Sequence, residues 1–171
     1  LVVEMAAAQD AKILLHPVVG ESKPGDLEYY ARVHCYQALL RHLPAQLAVL
    51  SLLPLAMRMA GPREALWHGI IHRNYGCSAF IVGPDDSSPP STDNGTRFYG
   101  KYAAQEHVAA VGDELDIQML AVEERRYCVS SKTFLPVSVL EQKGDRSVSY
   151  SDHDLRQALA KGEPGPAWFG F

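Results

Sequence analysis

The chain of 171 residues contains no run of about 18 consecutive apolar residues, so no helix long enough to span a membrane can be drawn in it. Its first residues lack the basic segment and apolar core of a secretory signal, and a cytoplasmic location is expected. Cysteine is scarce. Cys35, Cys77 and Cys128 are odd in number and far apart, with no CxxC pair, which argues against a disulfide framework and against a zinc site. Positive charge is not in excess: 16 Lys and Arg against 20 Asp and Glu leave a formal charge of −4. The cations are scattered, so nucleic acid is discounted as a partner. Three motifs of nucleotide and acyl chemistry are missing as well. There is no Walker loop, since "GESK" lacks the length and second glycine that cradle phosphates, and neither GxGxxG nor GxSxG occurs.

What is present is enough for one domain. Apolar residues make up 47% of the chain, and they fall into short runs that alternate with amphipathic stretches. "LVVEMAAAQD" (1–10) reads as the remainder of a helix, and "AKILLHPVV" (11–19) as a strand ending near Pro17. A helix capped by Asp26 follows, with Leu27, Tyr30, Val33, Leu39, Leu40 and Leu43 at helical spacing. "AQLAVLSLLPL" (45–55) is a second, buried strand, and "GPREALWHGIIHRNYG" (61–76) is a helix with proline in its first turn. "SAFIVG" (78–83) is a third strand. A polar loop, a helix around "AAQEHVAAVGDEL", a strand at "DIQMLAV", a less regular third and a closing helix at "DHDLRQALAKG" complete the chain. The fold class is α/β, with the strands near 11–16, 46–53 and 78–82 expected parallel in one sheet and their carboxyl ends on a common edge. Trp168 and Phe169 are expected to pack on the domain, because exposing both would leave a sticky patch.

Several residues are candidates for chemistry. His68 and His72 stand four apart on one helix, a ligand spacing, but no acid lies between them and no third ligand is evident; a solvated helix face is the expectation. His16 ends the first strand, where α/β proteins contact ligands, and Lys23 follows on the next loop. A structural histidine at a strand end is the plainer account. Arg58 and Arg63 flank a Gly-Pro helix start whose free N–H groups favour anions, set against an ordinary capped helix.

Taken together, "ILLHPVVGESKPGD", "RVHCYQALL", "LSLLPLAMRMAGPREALWHGIIHRNYGCSAFIVG", "FYGKYAAQE" and "DLRQALAKGEPGPAWFGF" resemble the catalytic domain of sulfate adenylyltransferase, or ATP sulfurylase. The stretches run in the family's order over nearly the whole chain. The resemblance implies a Rossmann-like adenylyltransferase domain, a parallel sheet covered by helices, that joins ATP and sulfate to give adenylyl sulfate and pyrophosphate. It also implies Mg2+ accompanying ATP, a homo-oligomer, and in some relatives a fused adenylyl-sulfate kinase domain.

The family's nucleotide loop reads G-R-D-H-A-G-P-G. Here the corresponding residues are Gly83, Pro84, Asp85, Asp86, Ser87, Ser88, Pro89 and Pro90. Gly83 and Asp85 match, Pro84 stands for an arginine, Asp86 for a histidine, and Ser87 for an alanine whose backbone helps to hold sulfate. The implied ATP-binding positions are therefore Gly83, Pro84, Asp85 and Asp86, with Leu120 on the adenine side, and Ser87 is the implied sulfate position. No metal ligand is assigned. A carboxylate where polyphosphate should lie repels it, so activity is expected to be weakened or lost. The family's Q-x-R-N-P and H-x-x-H segments precede the helix that here opens at Leu1, so residues 1–171 are expected to be a domain incomplete at its N-terminal side. "YSDHDLR" replaces the family's I-S-G-T-E-L-R, so Asp152 and His153 are expected to alter another loop. A non-catalytic structural or oligomerisation domain fused to a kinase is the alternative.

Overall fold

The computed structural model describes residues 1–20, 27–89, 92 and 94–169. Lys23, Asp26 and Pro90 lie outside the described residues. The elements run α1 (Val2–Ala8), β1 (Ile13–Leu15), α2 (Tyr29–Leu40), β2 (Ala48–Leu50), α3 (Pro62–Asn74), β3 (Ala79–Val82), α4 (Ala103–Ala110), α5 (Gly112–Leu115), β4 (Gln118–Ala121), β5 (Arg125–Cys128), β6 (Thr133–Pro136), α6 (Val137–Lys143), β7 (Ser147–Val148) and α7 (Asp152–Ala160).

The α/β alternation holds, but among the described residues the expected single sheet does not form. β1 pairs parallel with β2, and β3 pairs parallel with β4, as two separate two-stranded sheets. A lone parallel bridge from Val18 to Leu53 extends the first pair past Pro17. The second strand is also less buried than its apolar run suggests, since Val49 is 56% exposed. The irregular last third becomes an antiparallel sheet in the order β6-β5-β7.

The best-packed core lies around β3. Phe80 and Val82 meet Ala65 of α3, Ala104 and Val108 of α4, and Leu115 and Ile117 beyond. A Cβ at Gly69 would come within 2.8 Å of the Phe80 ring, so the glycine lets α3 lie close on the strand. At the turn into α3, Gly61 has φ +61°, and a Cβ there would strike the Tyr99 ring at 2.4 Å. By contrast, α2 has no buried residue despite its helical apolar spacing.

Trp168 stacks on Tyr127 with ring centroids 4.5 Å apart, and Phe169 meets Tyr150 edge-on at 5.0 Å. Both rings therefore pack against the antiparallel sheet and its flank, as expected. Asp152 and His153 fall in the first turn of α7 rather than in a loop. Ser151 caps that helix and forms a capping box with Asp154, which explains why this polar run continues as helix.

Candidate functional site

The turn after β3 carries most of the candidates. It begins at Gly83, where a Cβ would meet open space, and bends sharply through Asp85 at φ +55° and Ser87 at φ +52°. Left-handed backbone at two non-glycine residues is unfavourable unless neighbours hold it. Two backbone bonds do so: Asp85 N–H donates to the Lys101 carbonyl at 2.7 Å, and Gly61 N–H donates to the Ser87 carbonyl at 2.8 Å. The turn is thus tied to the start of α4 on one side and the start of α3 on the other.

Each acid of the turn has a partner. Arg97 Nη1 donates to both carboxylate oxygens of Asp85, at 2.6 and 2.8 Å. A cation absent at Pro84 is therefore supplied to this turn from further along the chain. Ser87 is buried, and its Oγ donates to Asp86 Oδ1 at 2.8 Å while lying 3.5 Å from His68 Nδ1. The Ser87 hydroxyl thus turns inward to the protein.

The two helical histidines do not form the solvated face expected of them. His68 faces Ser87, and His72 lies with its Nδ1 3.5 Å from His16 Nδ1. Burial first, and then the neighbouring His16 and His68, push the His72 imidazole down to about 4, with Asp86 opposing the shift. Burial lowers His16 too. Among the described residues, no group of three or more His, Cys, Asp or Glu could hold a metal ion. His16 also packs edge-on against Tyr75 at 4.4 Å and is half-buried at the strand's end.

The Gly-Pro helix start already holds an anion, and it is internal. Glu64 is 2% exposed, and its carboxylate accepts from Arg58 N–H at 2.7 Å and Ala60 N–H at 2.8 Å. Glu64 thus holds the two amides that lead into the helix, while the N-cap residue Gly61 makes no side-chain cap bond. An acid three residues into a predicted helix is the sequence signal that points to it.

Two further residues escaped the sequence reading. Gln105 on α4 donates its amide N–H groups to the Val82 carbonyl at 2.9 Å and the Val122 carbonyl at 2.8 Å, joining the carboxyl ends of β3 and β4 directly beneath the turn. Glu124, just beyond β4, is paired with Lys101 and with Arg126, and the Lys101 hydrogen bond above all holds its carboxyl below the usual range. Only tertiary proximity marks either one. Leu120 pairs in register with Ile81 and lines a cavity of about 690 Å³ between β1 and β3, where it is joined by His16 and His72. Gly83–Ser87 are not among that cavity's lining residues.

Comparison with known proteins bears on what this arrangement descends from. Residues 2–171 match the family model described as ATP-sulfurylase. The chain is 43% identical over 171 residues to sulfate adenylyltransferases of Kluyveromyces lactis and Saccharomyces cerevisiae, covering 34% of each, and 44% identical to that of Schizosaccharomyces pombe, covering 35%. It therefore spans about a third of the length of these relatives. Among solved structures, a hexameric APS kinase from Thiobacillus denitrificans superposes with a TM-score of 0.75 at 26% identity, over 99% of this chain and 30% of that one. With a match running from residue 2 to residue 171, the chain belongs to the ATP-sulfurylase family.

Proposed function

We propose that this chain is a sulfate adenylyltransferase-type domain of Rossmann-like character, acting on ATP and sulfate, whose activity is weakened at its nucleotide turn. The observation that carries the reading is the turn Gly83–Ser87 at the carboxyl end of a parallel strand, where α/β proteins take their ligands. In the reaction a sulfate oxygen attacks the α-phosphorus of ATP in line. The bond from that phosphorus to the bridging oxygen breaks, and pyrophosphate leaves with its electrons. The protein's part is positioning and charge neutralisation.

This chain's own groups supply little of that. Pro84 has no N–H to donate, Asp86 brings negative charge, and Arg97 is the cation of the turn but is already gripped by Asp85. Magnesium would arrive on the ATP phosphates, since Mg2+ is commonly held by substrate phosphates and water with few protein ligands. A homo-oligomer, a fused adenylyl-sulfate kinase domain and a cytoplasmic setting belong to the same proposal. The likeness to a hexameric APS kinase supports the first two.

The test is pyrophosphate release from ATP with sulfate and magnesium by the complete gene product, alongside the double variant Pro84→Arg/Asp86→His. One lost transition-state donor typically costs about 10² to 10³ in rate, so the double variant should be faster by at least about 10². Turnover of the unmodified protein within the ordinary range of about 1 to 10³ per second would overturn the reading. An inactive protein that gains nothing from the reversion would favour the structural or oligomerisation role.

A further inference from the structure

Arg97 holds Asp85 through one nitrogen only. Nη1 spans both carboxylate oxygens, at 2.6 and 2.8 Å, which leaves the N–H groups of Nε and Nη2 uncommitted to that acid. Those two nitrogens form the side-on fork of a planar guanidinium, the edge that matches two oxygens of a phosphate. Both partners face solvent, with the Arg97 side chain 49% and the Asp85 side chain 39% exposed.

The guanidinium reaches the turn from a segment that is ordered on either side. Before it, Thr92 N–H donates to the Thr96 carbonyl at 2.9 Å, Gly95 N–H to the Thr92 carbonyl at 2.8 Å and Thr96 N–H to Thr92 Oγ1 at 3.1 Å, closing a tight loop one residue short of Arg97. After it, the Lys101 carbonyl accepts from Asp85 N–H. Arg97 is thereby kept beside the carboxyl end of β3, where α/β proteins take their ligands. Lys101 is committed elsewhere, because its ammonium is paired with Glu124.

We propose that Arg97 binds the phosphate chain of ATP in this domain, in place of the cation missing at position 84, and that Asp85 restrains it. The proposal rests on the adenylyl-transfer reading of the turn. Nε and Nη2 would donate to non-bridging oxygens of the phosphates while Nη1 stays on Asp85. The carboxylate then has two opposed effects: it fixes the plane of the guanidinium, and it offsets the charge that attracts the nucleotide. Asp85 lies at φ +55°, a backbone conformation that asparagine also tolerates, so Asp85→Asn removes the charge without straining the turn.

Equilibrium binding of inorganic tripolyphosphate, and of ATP with magnesium, to the complete gene product tests this without turnover, so its outcome is separate from that of the pyrophosphate-release assay. Arg97→Gln should weaken both ligands by about 10-fold or more, as expected for charge-assisted hydrogen bonds, and Arg97→Lys, which keeps the charge without the fork, should weaken them less. Asp85→Asn should tighten both by about 3-fold, in keeping with the modest strength of an exposed ion pair, and adding Arg97→Gln should cancel that gain. Equal affinity for Arg97→Gln and the parent, or a parent that binds neither ligand, would overturn the proposal. A gain from Asp85→Asn that survives Arg97→Gln would also overturn it, by tracing the effect to the loss of a repelling carboxylate alone.

Discussion

His16 and His72, 56 residues apart in sequence, meet with their Nδ1 atoms 3.5 Å apart. At that distance one ring can donate only if the other is neutral on the facing nitrogen, so two imidazolium rings cannot share the contact.

The pH dependence follows from this pair. The folded state holds His72 at about 4, whereas an unfolded histidine titrates near 6.5. Between those values the unfolded chain binds more protons, so stability is full above about 6.5 and is lost progressively as pH falls toward about 4. The urea midpoint should drop across that window, and His72→Gln should remove much of the slope. An unchanged slope in the variant would assign the acid sensitivity to other groups.

Glu64 is expected to be among the most sensitive single positions. Its carboxylate satisfies the Arg58 and Ala60 amides while almost fully buried. Glu64→Ala strands both donors, and at about 1 to 3 kcal/mol for each unsatisfied buried group the loss should be about 3 kcal/mol. Glu64→Gln keeps an acceptor oxygen and should lose less. Equal midpoints for the alanine variant and the parent protein would contradict the assignment.

Trp168 stacks on Tyr127 at an interplanar angle of 11°, with Phe134 and Tyr150 around it. The ring is half-buried, so Trp168→Ala should cost about 2 kcal/mol, below the about 3 to 5 kcal/mol of a fully buried aromatic. Denaturant melts read the change directly. A variant within about 0.5 kcal/mol of the parent would mean that the stack adds nothing.

Removing the cation at the nucleotide turn is a fourth test. Arg97 grips Asp85 on the surface, and exposed pairs are worth about 1 kcal/mol or less. Arg97→Ala should therefore leave the melting midpoint almost unchanged while lowering any residual pyrophosphate release. A strongly destabilised variant would show that the pair is structural instead.

Local chemistry made several features legible in the sequence. Alternating apolar strands and helices pointed to parallel pairing, which β1–β2 and β3–β4 show. A proline in its first turn marked α3, and "SAFIVG" marked β3 with the turn beginning at Gly83. The family was legible from residue identities alone, and the match over 2–171 bears that out.

Other features depend on which segments meet, and periodicity carries no record of that. An apolar run identifies a strand but not the edge it pairs with, so the split into two parallel pairs and the antiparallel β6-β5-β7 sheet emerged only in three dimensions. Gln105 looks like any helical glutamine until α4 sets it over the ends of β3 and β4. His72 has the spacing of a solvated residue, and only the approach of His16 and the burial around it make it a neutral interior ring. Sequence alone determined the ancestry and the elements as far as β4, because those follow from neighbours along the chain. Tertiary structure decided the partners of each acid and histidine, because a side chain's charge and hydrogen bonds are set by whatever the fold brings within about 4 Å of it.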